Sequence, residues 1–186
     1  TVPERPVVRV VGLGPAGADL ATAAAVAAIE AAPVRFVRTW RHPAATLLEG
    51  PAPGGRTTEA FDGLYEAAAT MDEVYAGILE RLVEAAAEHG EVLYAVPGSP
   101  VVAERTVELL VADPRVEVRI VPALSFLDLA WVRLGVDPLA LGVRVVDGHR
   151  FEVEAAGERG PLLVAQCDSP QVLSEVKLAL GDAVDR

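Results

Sequence analysis

The chain has 186 residues, 52% of them apolar, and a formal net charge of −11. That length fills one sizeable domain or two small ones that share an interface. The charge repels phosphate backbones, and no Lys/Arg-rich stretch offsets it, which argues against a nucleic-acid partner. A single cysteine, Cys167, excludes an internal disulfide framework. His42, His89 and His149 stand far apart in sequence, without metal-ligand spacing. No apolar run is long and pure enough to span a bilayer, and "TVPERPVVRV" lacks the features of a signal peptide. A soluble cytoplasmic protein with no membrane partner is the expectation.

"VVRVVG" (7–12), β-branched and ending in glycine, predicts a buried parallel strand. Residues 18–32 predict a helix with Asp19 as its N-cap and Pro33 ending it. A second strand is expected over 34–39, then a short helix between Pro43 and Gly50, then a breaker-rich loop over 51–56. Residues 70–90 carry the strongest helical signal: Val74, Ile78, Leu82, Val83 and Ala86 recur at helical spacing and Gly90 closes the run. Glu73, Glu80, Glu84 and Glu88 read as its solvated face. A strand over 91–98, a helix over 101–113 and a strand over 116–121 follow. Strands alternating with helices predict a parallel sheet with right-handed crossovers over residues 7–122.

Beyond 122 the pattern changes. A helix starting at Phe126, strands over 142–148 and 161–167 without an obvious crossover helix, and a final helix from Ser169 predict a second, mixed α+β unit. The expected division is 1–122 and 123–186. Cys167, at a strand end, reads as an inert thiol.

Gly12, Gly14 and Gly17 have the G-x-G-x-x-G spacing of a dinucleotide site, but lack its company. The second strand ends in Arg38 and Thr39, without the acidic residue that holds a ribose hydroxyl. Arg38 is the one candidate for an NADP 2′-phosphate, and Asp19 would place negative charge beside a pyrophosphate. The same glycines serve a sharp strand-to-helix turn without any ligand. "YAVPGSPVVAER" (94–105) and "VPALSFLDLA" (121–130) are two further strand-to-turn junctions at the same carboxyl edge, where open α/β sheets bind ligands.

In this order, "VVGLGPAGADLAT", "YAVPGSPVVAERT" and "VPALSFLDLAWVRLGVDP" resemble the tetrapyrrole (corrin/porphyrin) methylase family. "FDGLYEAAATMDEVYAGILERLVEAA" and "VVDGH" narrow the resemblance to the methylase-like domain that precedes MazG nucleoside triphosphate pyrophosphohydrolases. It covers nearly the whole chain. It implies an α/β fold: a parallel-sheet N-terminal subdomain plus a mixed α+β C-terminal subdomain, truncated because the chain ends before the family's last strands. It also implies S-adenosylmethionine or S-adenosylhomocysteine as cofactor, a small-molecule substrate, a homodimer, and fusion to a C-terminal pyrophosphohydrolase domain. By motif position, the resemblance places Pro15, Gly98, Ser99, Val102, Ser125, Phe126 and Gln166 at the cofactor.

The chain departs from the family pattern in two loops. Gly98-Ser99-Pro100 replaces Gly-Asp-Pro, and Pro122-Ala123 replaces Pro-Gly. Methyl transfer from a sulfonium needs alignment and exclusion of water more than a marked acid or base. No catalytic residue is therefore assigned; Tyr65, Tyr94 and Asp147 read as packing or capping residues near the cleft. The acidic chain fits a polycarboxylate substrate poorly, although Arg38, Arg41 and Arg105 offer local positive charge. The pyrophosphohydrolase chemistry would lie outside this chain. A non-catalytic dimerisation or ligand-sensing module is the competing reading, and an NADP-dependent oxidoreductase the third.

Overall fold

The β-branched run at the start of the chain forms β1 (Val7–Gly12), the strand on which the first unit is organised. In the computed structural model, which describes residues 5–180, the chain divides into two units, Thr1–Ala130 and Trp131–Arg186. The first unit contains α1 (Ala23–Ala31), β2 (Arg35–Val37), β3 (Glu59–Ala60), α2 (Asp62–Ala67), α3 (Met71–His89), β4 (Glu91–Val96), α4 (Arg105–Ala112) and β5 (Glu117–Val121), with the start of α5 (Phe126–Leu134). Its five strands are all parallel, in the order β3-β2-β4-β1-β5.

Both faces of the sheet are covered, which explains the absence of polar alternation in β1 and β4. Val8, Val10, Val92, Tyr94 and Val96 point to one face and pack against Val74, Ile78 and Leu82 of α3 and Val107 and Leu110 of α4. Val11, Leu93 and Ala95 point to the other, against Ala25 and Ile29 of α1 and Ala44, Ala45 and Leu48. Phe61, entering α2, stacks on Phe36 at 5.6 Å and meets Tyr94 edge-on at 5.8 Å.

The helix expected over 70–90 is present, with the ends that its sequence specifies. The Thr70 hydroxyl accepts from the Glu73 N–H at 3.2 Å, and the Glu73 carboxylate accepts from the Ala69 N–H at 2.8 Å. Gly90 caps the other end at φ +81°.

Other expectations are corrected. Residues 18–20 form a 3₁₀ turn, and α1 starts only at Ala23, where Thr22 rather than Asp19 is the cap; its hydroxyl accepts from the Ala25 N–H. The segment Pro43–Leu48 is 3₁₀ rather than α. β3 and α2 stand where the sequence predicts no element, since a two-residue strand carries no periodic signal. The helix expected from 101 begins at Arg105, because the preceding turn holds Ala103 at φ +54°.

The second unit holds α6 (Pro138–Leu141), β6 (Arg144–Asp147), α7 (Phe151–Glu154), β7 (Leu162–Ala165) and α8 (Pro170–Leu180). β6 and β7 pair in parallel, and α7 is a crossover helix between them where the sequence shows none. Its Phe151 packs with Val146, Val172 and Val176 to form the unit's core. At four residues α7 is too short for helical periodicity to show.

Candidate functional site

Three loops converge where β1 ends. Gly14, at φ +79°, and Gly98, at φ +63°, exchange both backbone hydrogen bonds: Gly98 N–H to Gly14 carbonyl at 2.8 Å, and Gly14 N–H to Gly98 carbonyl at 3.2 Å. Gly12 lies beneath this clamp. A Cβ on Gly12 would stand 2.5 Å from both the Ala123 Cβ and the Gly98 carbonyl oxygen, and 2.7 Å from Pro100 Cδ. One hydrogen atom in place of a side chain thus lets the loops after β1, β4 and β5 meet. Thr22 adds a strap, donating from its hydroxyl to the Pro122 carbonyl at 3.4 Å.

This geometry separates the glycines from a phosphate cradle. A pyrophosphate site needs the third glycine to open a helix whose N–H groups face the ligand. Gly17 instead precedes a three-residue 3₁₀ turn, and the Asp19 carboxylate lies 2.7 Å from where its Cβ would be. Arg38, the candidate for a 2′-phosphate, is committed to a buried carboxylate.

Six of the seven residues implied by the resemblance fall in the first unit's three loops. Pro15 follows the clamped Gly14 and is half-buried. Gly98 carries the clamp. Ser99 is nearly buried, and its hydroxyl has no hydrogen-bond partner among the described residues. Val102 is half-buried, and its N–H donates to the Ser99 carbonyl at 3.2 Å, closing the turn. Ser125 is already occupied: its hydroxyl donates to Asp128 at 3.1 Å and accepts from the Leu127 N–H at 3.2 Å, capping α5. Phe126 is exposed beside it. Gln166 belongs to the second unit, where it is exposed after β7 at φ +57°. Asp147, at the matching end of β6, accepts from the His149 N–H at 2.9 Å, which is a capping role.

A buried polar cluster adjoins the second loop. Glu104, immediately after the loop, forms an ion pair with Arg38, two residues along from Phe36 and just past β2. The Glu104 side chain is 2% exposed and that of Arg38 19%. The Arg38 Nε donates to the Tyr65 hydroxyl at 2.7 Å, and its backbone N–H donates to the Ala95 carbonyl at 2.9 Å. Asp62 accepts from the Thr39 hydroxyl and the Trp40 N–H, fixing the chain that follows. Beside the pair, the Tyr94 hydroxyl and the Thr106 side chain are buried together, and Glu104 Oε1 has no hydrogen bond of good geometry among the described residues.

Burial raises the Glu104 carboxyl above its usual range, with Arg38 opposing the rise. Burial alone would lower the Arg38 guanidinium; the Glu104 carboxylate, Tyr65 and Tyr94 together outweigh it, and the net shift is upward. Burial also raises the Tyr65 and Tyr94 phenols, so both keep their protons at neutral pH. His42, beside the first loop, is lowered by burial against a hydrogen bond to the Gly14 backbone, and its Nδ1 accepts from the Ala44 N–H at 3.3 Å. It is therefore a neutral cap. Glu104 had no local signal in the sequence: its partner is 66 positions away.

Residues 7–182 match the family profile described as Tetrapyrrole (Corrin/Porphyrin) Methylases. The uncharacterized protein YabN of Bacillus subtilis (strain 168) is 35% identical over 176 residues, covering 93% of this chain and 35% of YabN. The chain thus spans about a third of the length of that relative. Among solved structures, precorrin-6Y methylase of Archaeoglobus fulgidus superposes with a TM-score of 0.59 at 26% identity, over 87% of this chain and 73% of its own. Uroporphyrin-III C-methyltransferase of Thermus thermophilus, complexed with S-adenosylhomocysteine, gives 0.60 at 24% identity, over 94% and 76%. The latter likeness is one of fold.

Proposed function

The chain belongs to the tetrapyrrole (corrin/porphyrin) methylase family, and from that premise we propose that it binds S-adenosylmethionine at the three-loop edge and serves methyl transfer to a small molecule. The observation that carries this reading is the junction at Gly12. Two loops joined by a mutual glycine hydrogen-bond pair, with the third packed on them through Ala123 over Gly12, form an edge lined by backbone groups. Such an edge holds a ligand by shape and neutral hydrogen bonds, with little reorganisation on binding.

The residues present fit such a cofactor. Ser99 brings an unpartnered hydroxyl that both donates and accepts, in place of a charged group. Gly98 precedes it, the Val102 N–H donates to its carbonyl, and Pro15 follows the Gly14 that is clamped to Gly98. Ser125 contributes by fixing the third loop, since its hydroxyl already caps α5, and Phe126 stands exposed next to it. Gln166 is proposed on the resemblance alone. When bound, S-adenosylmethionine supplies a methyl group activated by a sulfonium. The chain's own task is to orient that group and to exclude water, which accounts for a loop edge without an acid–base dyad.

A ligand-sensing module without turnover is the second reading, favoured by the uncharged Ser99 at the position where the family carries Asp. The share of YabN that the chain covers supports reading it as one part of a longer protein. A C-terminal MazG-type pyrophosphohydrolase domain, a homodimeric assembly and a cytoplasmic location complete the proposal. Among the described residues no helix is long and apolar enough to cross a membrane.

Calorimetry with S-adenosylmethionine, S-adenosylhomocysteine and NADP tests the reading. Saturable binding of the two adenosyl ligands with no heat from NADP is the expected result. Absence of both adenosyl signals overturns it. Adenosyl binding without consumption of S-adenosylmethionine in the presence of a small-molecule extract favours the sensing module.

A further inference from the structure

The Arg38 guanidinium is held on two sides and open on a third. Its Nη1 meets the buried Glu104 carboxylate, and its Nε–H donates to Tyr65 at 2.7 Å. Nη2 is not among the buried unpartnered atoms and has no partner among the described residues, so its N–H groups reach solvent. In a guanidinium, Nε–H and one Nη2–H point the same way, as the two tines of one fork. One free Nη2–H therefore lies beside the Tyr65 oxygen. That oxygen accepts from Nε, and burial keeps the phenol protonated, so its O–H is a second free donor at the same place.

Such an arrangement is expensive if it only supports the fold. A buried ion pair gains little over apolar packing, and Glu104 Oε1 is buried without a hydrogen bond of good geometry among the described residues. The pair also stands at the carboxyl edge, one residue beyond the turn of the second loop. Asp62 and the Ala95 carbonyl hold the backbone of residues 38–40 in place. Cost, rigidity and position together mark a recognition element.

We propose that Arg38 and Tyr65 form a two-donor subsite for one uncharged carbonyl oxygen, such as that of an amide, ketone or ring lactam, on a small molecule. Two adjacent donors match the two lone pairs of a single carbonyl oxygen. Glu104, in contact with Arg38, cancels the guanidinium's charge at a distance, so the subsite offers hydrogen bonds without net attraction for an anion. The net charge of −11 acts in the same direction. If the methyl-transfer reading holds, this is where the methyl acceptor is gripped, and only that last assignment rests on it.

The test uses two ring compounds of nearly equal shape, benzamide and benzoate, titrated into the chain with nitrogen-15 in its arginine side chains. Benzamide is expected to shift the Arg38 Nη2 signals saturably and at lower concentration than benzoate. Tyr65→Phe removes one donor and is expected to weaken benzamide roughly tenfold. Glu104→Gln uncovers the guanidinium charge and is expected to invert the preference towards benzoate. Tighter benzoate binding to the unaltered chain, unmoved Arg38 signals with benzamide, or full benzamide affinity in Tyr65→Phe each overturns the proposal. Should Glu104→Gln fail to fold, Tyr65→Phe and the unaltered chain still decide it. S-adenosylhomocysteine added to the same sample reads the cofactor proposal separately, through the backbone signals of Gly98 and Ser99.

Discussion

At the amino ends of the strands, Arg9 pairs with Glu91 and Arg119 with Glu117, all four side chains between 33% and 44% exposed. At the carboxyl ends, Arg38 pairs with a Glu104 side chain that is 2% exposed, beside a loop junction with no room for a Cβ. The same two residue types thus serve one sheet in two ways. Exposed pairs are screened by water and lose side-chain entropy on forming, so they contribute about 0–1 kcal/mol each. The buried pair is different: once formed, neither member can be removed without leaving the other charged and desolvated. The comparison locates rigidity at the carboxyl edge, where the loops meet.

Glu104→Ala should break this contrast most severely, costing about 3–5 kcal/mol in urea denaturation because Arg38 is left uncompensated. Gly12→Ala comes next, at about 2–3 kcal/mol, since its methyl group would meet a carbonyl oxygen and Ala123 that cannot both move aside. A Gly12→Ala chain as stable as the original would show that the three loops are not locked together there.

The pH dependence sharpens the comparison because the two kinds of carboxylate shift in opposite directions. Glu104 is raised by burial, with Arg38 opposing, and Tyr65, Tyr94 and Glu108 are the other titratable groups near it. The unfolded carboxyl releases its proton first, so Glu104's contribution to stability is present below 4.5 and lost as pH rises through its raised value. Glu80 and Asp113 are lowered, chiefly by hydrogen bonds from Arg115. Their contribution is present above the ordinary carboxylate range and lost as pH falls through their lowered values. Denaturation across this range should therefore show a falling limb that Glu104→Gln flattens and Arg115→Gln leaves in place. The smallest effect belongs to the amino edge: Glu91→Ala should change stability by under about 0.5 kcal/mol. A loss there as large as that of Glu104→Ala would remove the distinction between the edges.

Local features of the fold were legible in the sequence. Thr70 and Gly90 bracket α3 through hydrogen bonds spanning a few residues, and the β-branched runs of β1 and β4 report burial on both faces. Thr22 rather than Asp19 caps α1, a choice between two adequate caps that tertiary packing made. α7 and β3 are too short for periodicity. The site was legible as three loops, because each is a strand-to-turn junction with breaker residues. Their junction was not, since Gly12 meets Ala123 and Gly98 only after the sheet has ordered its strands. In the sequence Arg38 stands as a lone arginine, and its relation to Glu104 depends on β2 and β4 lying side by side.

On the proposed reading, the loops after β1, β4 and β5 form one ligand-binding edge. A nitrogen-15 correlation spectrum titrated with S-adenosylhomocysteine tests it directly, residue by residue. The expected result is saturable shifts of the Gly14, Gly98, Ser99, Val102 and Ser125 amides, with Arg9, Glu91 and Arg119 at the opposite edge unmoved. Shifts confined to the amino edge, or none at ligand saturation, would contradict it.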